Sequence, residues 1–515
     1  MKKSLILICL ISSCMHINAQ LIRNSYIVDL KKGTGQSFES LQRQSIPSQG
    51  LEIRELSSTL DIIQITSPIE GDQALEKWLN NNPNVESWGY NCHVQKRKTP
   101  NDQYFDLQWG LKMINAVDAW EVTTGGNDIN GREIVVAVLD DGYDLDHPEL
   151  EGRIYTNEAE IPDDGIDNDN NGYVDDFRGW NSTDGNDNHP ITDNHGIAVC
   201  GIIGAKTNNE LGVAAINWQV KILPISGIAT QAEVIAGYQY VLNMRKRYNE
   251  TDGAEGAYIV VTNYSAGIDN AFGTAPQYKS WCDMYEAMGD QGILSVGATA
   301  NKNVNVDTDG DMPTTCPSSF LVAVTNTDMN DTKVVGAGFG LENIDLGAPG
   351  AGTLVLDLND GFDQNFGGTS ASTPHVAGAI ALLYSAPCNN IAALATQNPR
   401  QAAEIIRDAL YNGTSPNSTL DGITVTGGRL DIFGALQELV ATCEIVLPSP
   451  NGDLSIERIN RESLGSFLID YITPDNNQYS AILTDRIGRT IRHIDFTPPS
   501  VGRKQLRLNI PDLIP

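Results

Sequence analysis

The central part of this chain, residues 101–440, predicts an α/β fold: a mostly parallel sheet with helices on both faces. Three observations lead there. Residues 134–139 (Ile-Val-Val-Ala-Val-Leu) form an unbroken apolar run, the pattern of a strand covered on both faces. Apolar runs recur at 220–225, 257–267, 292–301 and 320–325. Helical segments, 231–247 and 283–288 among them, lie between, and such alternation joins parallel strands through crossover helices. A small α+β unit (20–98) precedes this part and a small β-sandwich (444–515) follows it.

Met1-Lys2-Lys3 followed by Leu5-Ile6-Leu7-Ile8-Cys9-Leu10-Ile11 is a charged start with a short apolar core. It predicts a signal peptide over residues 1–19, cut between Ala19 and Gln20, too short to span a membrane. The product is then secreted, extracellular or at the cell surface. Ile11-Ser12-Ser13-Cys14 also resembles a lipobox, whose use would lipidate Cys14. No later stretch is apolar enough to cross a membrane. In the unit that follows, 25–30, 60–66 and 85–94 suit strands, and 72–79 suits a helix capped by Asp72. The basic run Lys96-Arg97-Lys98 closes it, in a chain whose net charge is −31. That charge argues against nucleic acid as a partner.

In the central part, the 134–139 run ends in Asp140-Asp141-Gly142-Tyr143, then Asp146-His147-Pro148. Open α/β sheets carry their functional groups at such strand ends. Next, His195 opens a small-residue helix in Asp193-Asn194-His195-Gly196-Ile197-Ala198-Val199-Cys200-Gly201. Later, Gly367-Gly368-Thr369-Ser370-Ala371-Ser372-Thr373-Pro374-His375-Val376-Ala377-Gly378 sets a serine at the start of an apolar helix. Glycines there allow close backbone approach, and the helix start brings free N–H groups and a partial positive charge to the serine oxygen. Together the three segments resemble the aspartate, histidine and serine motifs of the subtilases. Their order, Asp140, His195, Ser370, is that of subtilisin and differs from the chymotrypsin type. The family more often has threonine at Ile197 and alanine at Cys200, positions that touch helix packing and not the imidazole.

The resemblance implies a secreted serine endopeptidase acting through an acyl-enzyme. Ser370 would be the nucleophile and His195 its base and later acid, with Asp140 fixing the tautomer and balancing the imidazolium. The helix start is expected to help keep His195 neutral. An oxyanion hole would combine the Ser370 N–H with the Asn301 side chain, at the end of the 292–301 run. Ser265, Ala266 and Gly267 are expected to pair with an extended peptide or protein substrate by strand addition. Asp140-Asp141-Gly142 also resembles the kexin branch, which implies a taste for basic residues near the scissile bond and self-cleavage near Lys98. The 20–98 unit resembles a subtilase prodomain, an intramolecular inhibitor. Two alternatives stay open: an esterase or peptide ligase using the same triad, and a catalytically silent surface-binding protein on the same fold. No His-Glu-x-x-His occurs, which removes that metallopeptidase type.

Asp167-Asn168-Asp169-Asn170-Asn171-Gly172-Tyr173-Val174-Asp175-Asp176 places oxygen ligands at alternate positions around a glycine turn. Asp167, Asp169, Asn171 and Tyr173 match a calcium loop, but Arg178 stands where the closing glutamate is usual, so Asp175 or Asp176 is expected to complete a structural Ca²⁺ shell. No catalytic cofactor is expected. Cys282 with Cys316, and Cys388 with Cys443, are expected disulfides, and Cys200 a buried free thiol. Beyond residue 444 the short apolar runs 454–457, 467–471, 480–484 and 505–510 predict strands, with a turn at 485–489. This part resembles the sorting domain read by type IX secretion machinery, apparently truncated at Pro515.

Overall fold

The computed structural model describes residues 3–5, 21–31, 47–92, 98–443, 455–463, 466–473, 479–484, 490–496 and 502–509. Cys14, Ala19, Lys96, Arg97 and the 485–489 turn lie outside them. The chain divides into two compact units: Arg97–Cys443, and Met1–Lys96 together with Glu444–Pro515.

In the second of these, the N-terminal segment forms a four-stranded antiparallel sheet in the order Glu52–Ser57, Ile62–Thr66, Leu21–Leu30, Val85–Cys92. Alternate residues of the central strands (Tyr26, Val28, Ile63, Ile65) join Leu75 and Leu79 of the helix Gln73–Asn81 in one core. Asp72 caps that helix by accepting the Leu75 N–H at 3.1 Å. The Glu52–Ser57 strand is absent from the sequence expectations because it is a largely exposed edge strand, whose apolar signal is weak. The C-terminal segment is all antiparallel hairpins: Ser455–Ser463, Ser466–Thr473 and Gly502–Asn509 form one sheet, and Tyr479–Thr484 pairs with Thr490–Phe496 in another. Lys3–Leu5 adds in parallel to the latter.

The central unit is built on a nine-stranded sheet. In chain order its strands are β1 (Val135–Leu139), β2 (Trp180–Asn181), β3 (Lys221–Ser226), β4 (Ile259–Tyr264), β5 (Leu294–Ala298), β6 (Leu321–Thr327), β7 (Leu346–Pro349), β8 (Ser415–Pro416) and β9 (Gly428–Arg429). In space they run β8-β9-β7-β6-β5-β4-β1-β3-β2, all parallel except the β8–β9 pair at one edge. Every residue of β1, β4, β5 and β6 is buried, which is why these strands read as continuous apolar runs. Val135, Ala137 and Leu139 pack with Val234, Tyr238 and Val241 of the helix α2 (Gln231–Glu250) and with Trp281, Tyr285 and Met288 of α3 (Lys279–Asp290). A capping box starts α2: Thr230 accepts the Glu233 N–H and Glu233 accepts the Thr230 N–H. The helices α1 (His195–Gly204) and α4 (Thr369–Tyr384) pack on each other, and α4 lies along β4, β5 and β6. α1 also packs closely on the strand Thr353–Asp357, where an added Cβ on Gly201 would meet Leu356 at 2.6 Å.

The chain runs from β1 to β2 and β3 on one side, then crosses to β4 and onward on the other. This reversal opens a crevice beyond the carboxyl ends of β1 and β4, the usual place for a site in an open α/β sheet. Among the described residues no single helix is long and apolar enough to cross a membrane. The disulfides Cys282–Cys316 and Cys388–Cys443 are both formed, and Cys200 is a buried free thiol.

Candidate active site

Asp140 follows the last residue of β1, and Ser265 follows the last residue of β4. Leu139 and Tyr264 are paired in register, so Asp140 and Ser265 stand on neighbouring strand ends. His195 opens α1 beside them. Its Nδ1 lies 2.8 and 2.9 Å from the two oxygens of Asp140. Asp140 is buried, and the His195 side chain keeps one-third of its surface exposed. Burial pulls the imidazole pKa down, but the hydrogen bond and charge of Asp140, with Asp193 adding, more than offset it and leave His195 above its ordinary 6.5. The two carboxylates thus act against the helix start, which was expected to help keep His195 neutral. Phe366 meets the imidazole edge-on at 5.4 Å.

Ser370 sits in the first turn of α4, where its own N–H has no helix acceptor. Its carbonyl would ordinarily bond the N–H four residues on, but that residue is Pro374, which has none. The Ser265 hydroxyl takes the place, donating to the Ser370 carbonyl at 3.2 Å. The Ser370 hydroxyl in turn donates to the Ser265 carbonyl at 3.2 Å. Serine and histidine are thus tied to adjacent strand ends. In this rotamer the hydroxyl is directed to Ser265 and not to the imidazole.

Asn301 follows the β5 end. Its Oδ1 accepts the Thr369 N–H at 2.9 Å and the Thr369 hydroxyl at 3.2 Å. The Thr369 hydroxyl also bonds the Thr299 carbonyl at 2.6 Å. With Oδ1 taken, Nδ2 is left as the free donor beside the start of α4. Gly368 is required there: its φ is +81°, and a Cβ would come within 2.8 Å of Asn301 Oδ1. Ala266 and Gly267 are exposed beyond β4, while Ser265 is buried. Asp141 accepts the Gly227 N–H at 2.9 Å and so anchors a neighbouring loop.

The acidic loop differs from its expected ligand set. Asp175 accepts the N–H groups of Asp164 and Gly165 at 3.0 and 3.1 Å. Asp176 is fully buried and accepts from Tyr240, Asn171 and Asn157 at 2.9 to 3.0 Å; burial pushes its pKa up to about 7. Asn171 donates to Asp169 and Asp176, and the Tyr173 hydroxyl accepts from Asn243. Neither Asp175 nor Asp176 joins the group that comes together. Asp167 and Asp169 are joined instead by Glu160, with one oxygen from each within 4.8 Å of the others. Glu160 is 4% exposed and its Oε2 has no hydrogen-bond partner. A buried, unbonded carboxylate oxygen beside two further acids fits a hard cation with oxygen ligands.

The Peptidase_S8 subtilase family pattern matches residues 131–425, which include Asp140, His195, Asn301 and Ser370. The chain belongs to the subtilase family, a family of serine-type endopeptidases. It is 30% identical over 373 residues to a thermophilic serine proteinase of Bacillus sp. (strain AK1), covering 71% of this chain and 76% of that protein. It is 28% identical over 353 residues to thermitase of Thermoactinomyces vulgaris, covering 66% and 99%. It is 27% identical over 388 residues to subtilisin-like protease 1 of Plasmodium berghei (strain Anka), covering 71% of this chain but only 58% of that larger protein.

Proposed function

We propose that this chain is a secreted serine endopeptidase that hydrolyses peptide bonds through Asp140, His195 and Ser370. The observation that carries the reading is the pairing of Asp140 with His195 at 2.8 Å beside the strand end that holds Ser370. Ser370 Oγ attacks the scissile carbonyl as His195 Nε2 takes its proton. The resulting oxyanion is held by the Ser370 N–H and by Asn301 Nδ2. His195 then protonates the leaving amine, and water, activated by the same imidazole, releases the acyl group. Asp140 holds the proton on Nδ1 throughout, so that Nε2 faces the serine. The substrate backbone adds as a strand along Ser265, Ala266 and Gly267.

Residues 20–98 act as an inhibitory prodomain, removed after export, and residues 444–515 as a sorting module for type IX secretion. A structural Ca²⁺ held by Glu160, Asp167 and Asp169 would neutralise the acidic loop.

Labelling by a fluorophosphonate tests the catalytic assignment. The expected adduct maps to Ser370 and is lost in Ser370→Ala, together with cleavage of a denatured protein substrate. Labelling without peptide hydrolysis favours the esterase alternative, and no labelling at all favours a silent binding protein.

A further inference from the structure

We infer that the side chain of Ser265, aimed by Asn263, is a positioning residue for the nucleophile: its hydroxyl stands in for the helix N–H that Pro374 removes and so fixes the turn that carries Ser370. The inference deepens the catalytic assignment above and rests on it.

Ser370 brings two groups to the reaction, its Oγ and its backbone N–H, and both hang on the first turn of α4. That turn is the least restrained part of a helix, because its N–H groups have no partners within the helix. Two strand ends hold it here. On the β5 side, Thr369 is tied by its N–H to Asn301 and by its hydroxyl to the Thr299 carbonyl. On the β4 side, Ser370 and Ser265 exchange two hydrogen bonds, each 3.2 Å long. The reaction treats these two differently. The bond from the Ser370 hydroxyl to the Ser265 carbonyl is given up when that hydroxyl turns to His195 and attacks. The bond from the Ser265 hydroxyl to the Ser370 carbonyl involves no reacting atom and persists. It is therefore the tie on this side that keeps Ser370 in place while its oxygen moves.

Asn263 sets the direction of that tie. A serine hydroxyl rotates and donates to whichever acceptor suits it. Asn263, two residues back on β4, donates from Nδ2 to the Ser265 Oγ at 3.0 Å. The oxygen is then engaged as an acceptor, and its hydrogen is left for the Ser370 carbonyl. An amide is out of pattern at this place. Asn263 is 0% exposed in the middle of the sheet, paired in register with Val138 and Val296. Its Oδ1 has no hydrogen-bond partner among the described residues. A buried acceptor left unmet costs stability, and an apolar residue would avoid that cost. Asparagine thus contributes something that burial does not require, and its donor leads to Ser265.

A double-mutant cycle on the mature enzyme tests this. Ser265→Ala should lower kcat on a peptide amide at least about tenfold with KM within about threefold, because the substrate pairs with the Ser265 backbone, which the variant keeps. Pro374→Ala returns an N–H to the helix, placed to bond the Ser370 carbonyl. In that background Ser265→Ala should cost less than about threefold. Asn263→Ala should follow Ser265→Ala in both backgrounds, and Asn263→Val takes its place where the alanine variant does not fold. Active sites are counted by fluorophosphonate titration run to completion, so that unfolded enzyme does not pass for lost turnover. A Ser265→Ala variant with wild-type kcat overturns the inference. So does a loss of equal size with and without Pro374, since that marks a general packing defect. Asn263 variants with wild-type kcat overturn the aiming role. No label in the wild type instead removes the catalytic assignment, and this inference falls with it.

Discussion

Ser370 has a carbonyl that its own helix cannot use, because Pro374 supplies no N–H, and Ser265 fills that gap from the neighbouring strand end. The same economy holds Asn301, whose Oδ1 is bound by the start of the serine helix so that its Nδ2 is presented outward. Asn301→Ala should therefore lower kcat by about 10²–10³ with little change in KM, the effect known for the equivalent donor in subtilisin. Steady-state kinetics on a peptide amide checks this. The pH dependence follows from His195, whose folded pKa lies above 6.5. Catalysis needs the neutral imidazole, so activity is lost as pH falls through that raised value. The acid limb of kcat/KM should have its midpoint above 6.5, and Asp140→Asn should move it down while lowering activity by about 10⁴.

At the scale of elements, the strand ends and helix starts do most of the positioning, and the acidic loop is where carboxylates gather. Glu160, Asp167 and Asp169 converge with one buried oxygen unbonded. Added Ca²⁺ should raise the thermal midpoint and EGTA lower it, and Glu160→Gln should blunt that response more than Asp175→Asn, because Asp175 is engaged with the backbone of Asp164 and Gly165. A melting curve unchanged by EGTA rejects the site. Glu160 did not stand out in the sequence because loop spacing points to Asp175 and Asp176, whereas Glu160 lies outside the 167–176 loop and is brought to Asp167 and Asp169 by the fold. Asp140, His195 and Ser370 were legible because each lies at the end of an element with a strong local pattern.

Over the whole molecule, the central sheet brings together residues far apart in sequence by reversing its winding between β1 and β4. Two disulfides between buried cysteines cross-link this unit, with separations of 34 and 55 residues. In the chain-entropy account each contributes about 4 kcal/mol, less any strain. Replacing Cys388 and Cys443 together by serine should lower unfolding stability by up to that amount, measured by denaturant titration, with fluorophosphonate labelling of the remaining folded enzyme retained. Loss of labelling in the still-folded variant would show that the bond shapes the site and not only the stability.

By itself the sequence determined the alternation of buried strands and helices and the motif residues, since apolar periodicity, strand-end acids and helix-start residues are local signals. The tertiary structure alone decided which acids meet. It brought Glu160 to Asp167 and Asp169, and turned Asp141 and Asp175 to backbone N–H groups. A carboxylate's role depends on which donors, charges and walls surround it after packing, and those come from segments that the local pattern does not connect.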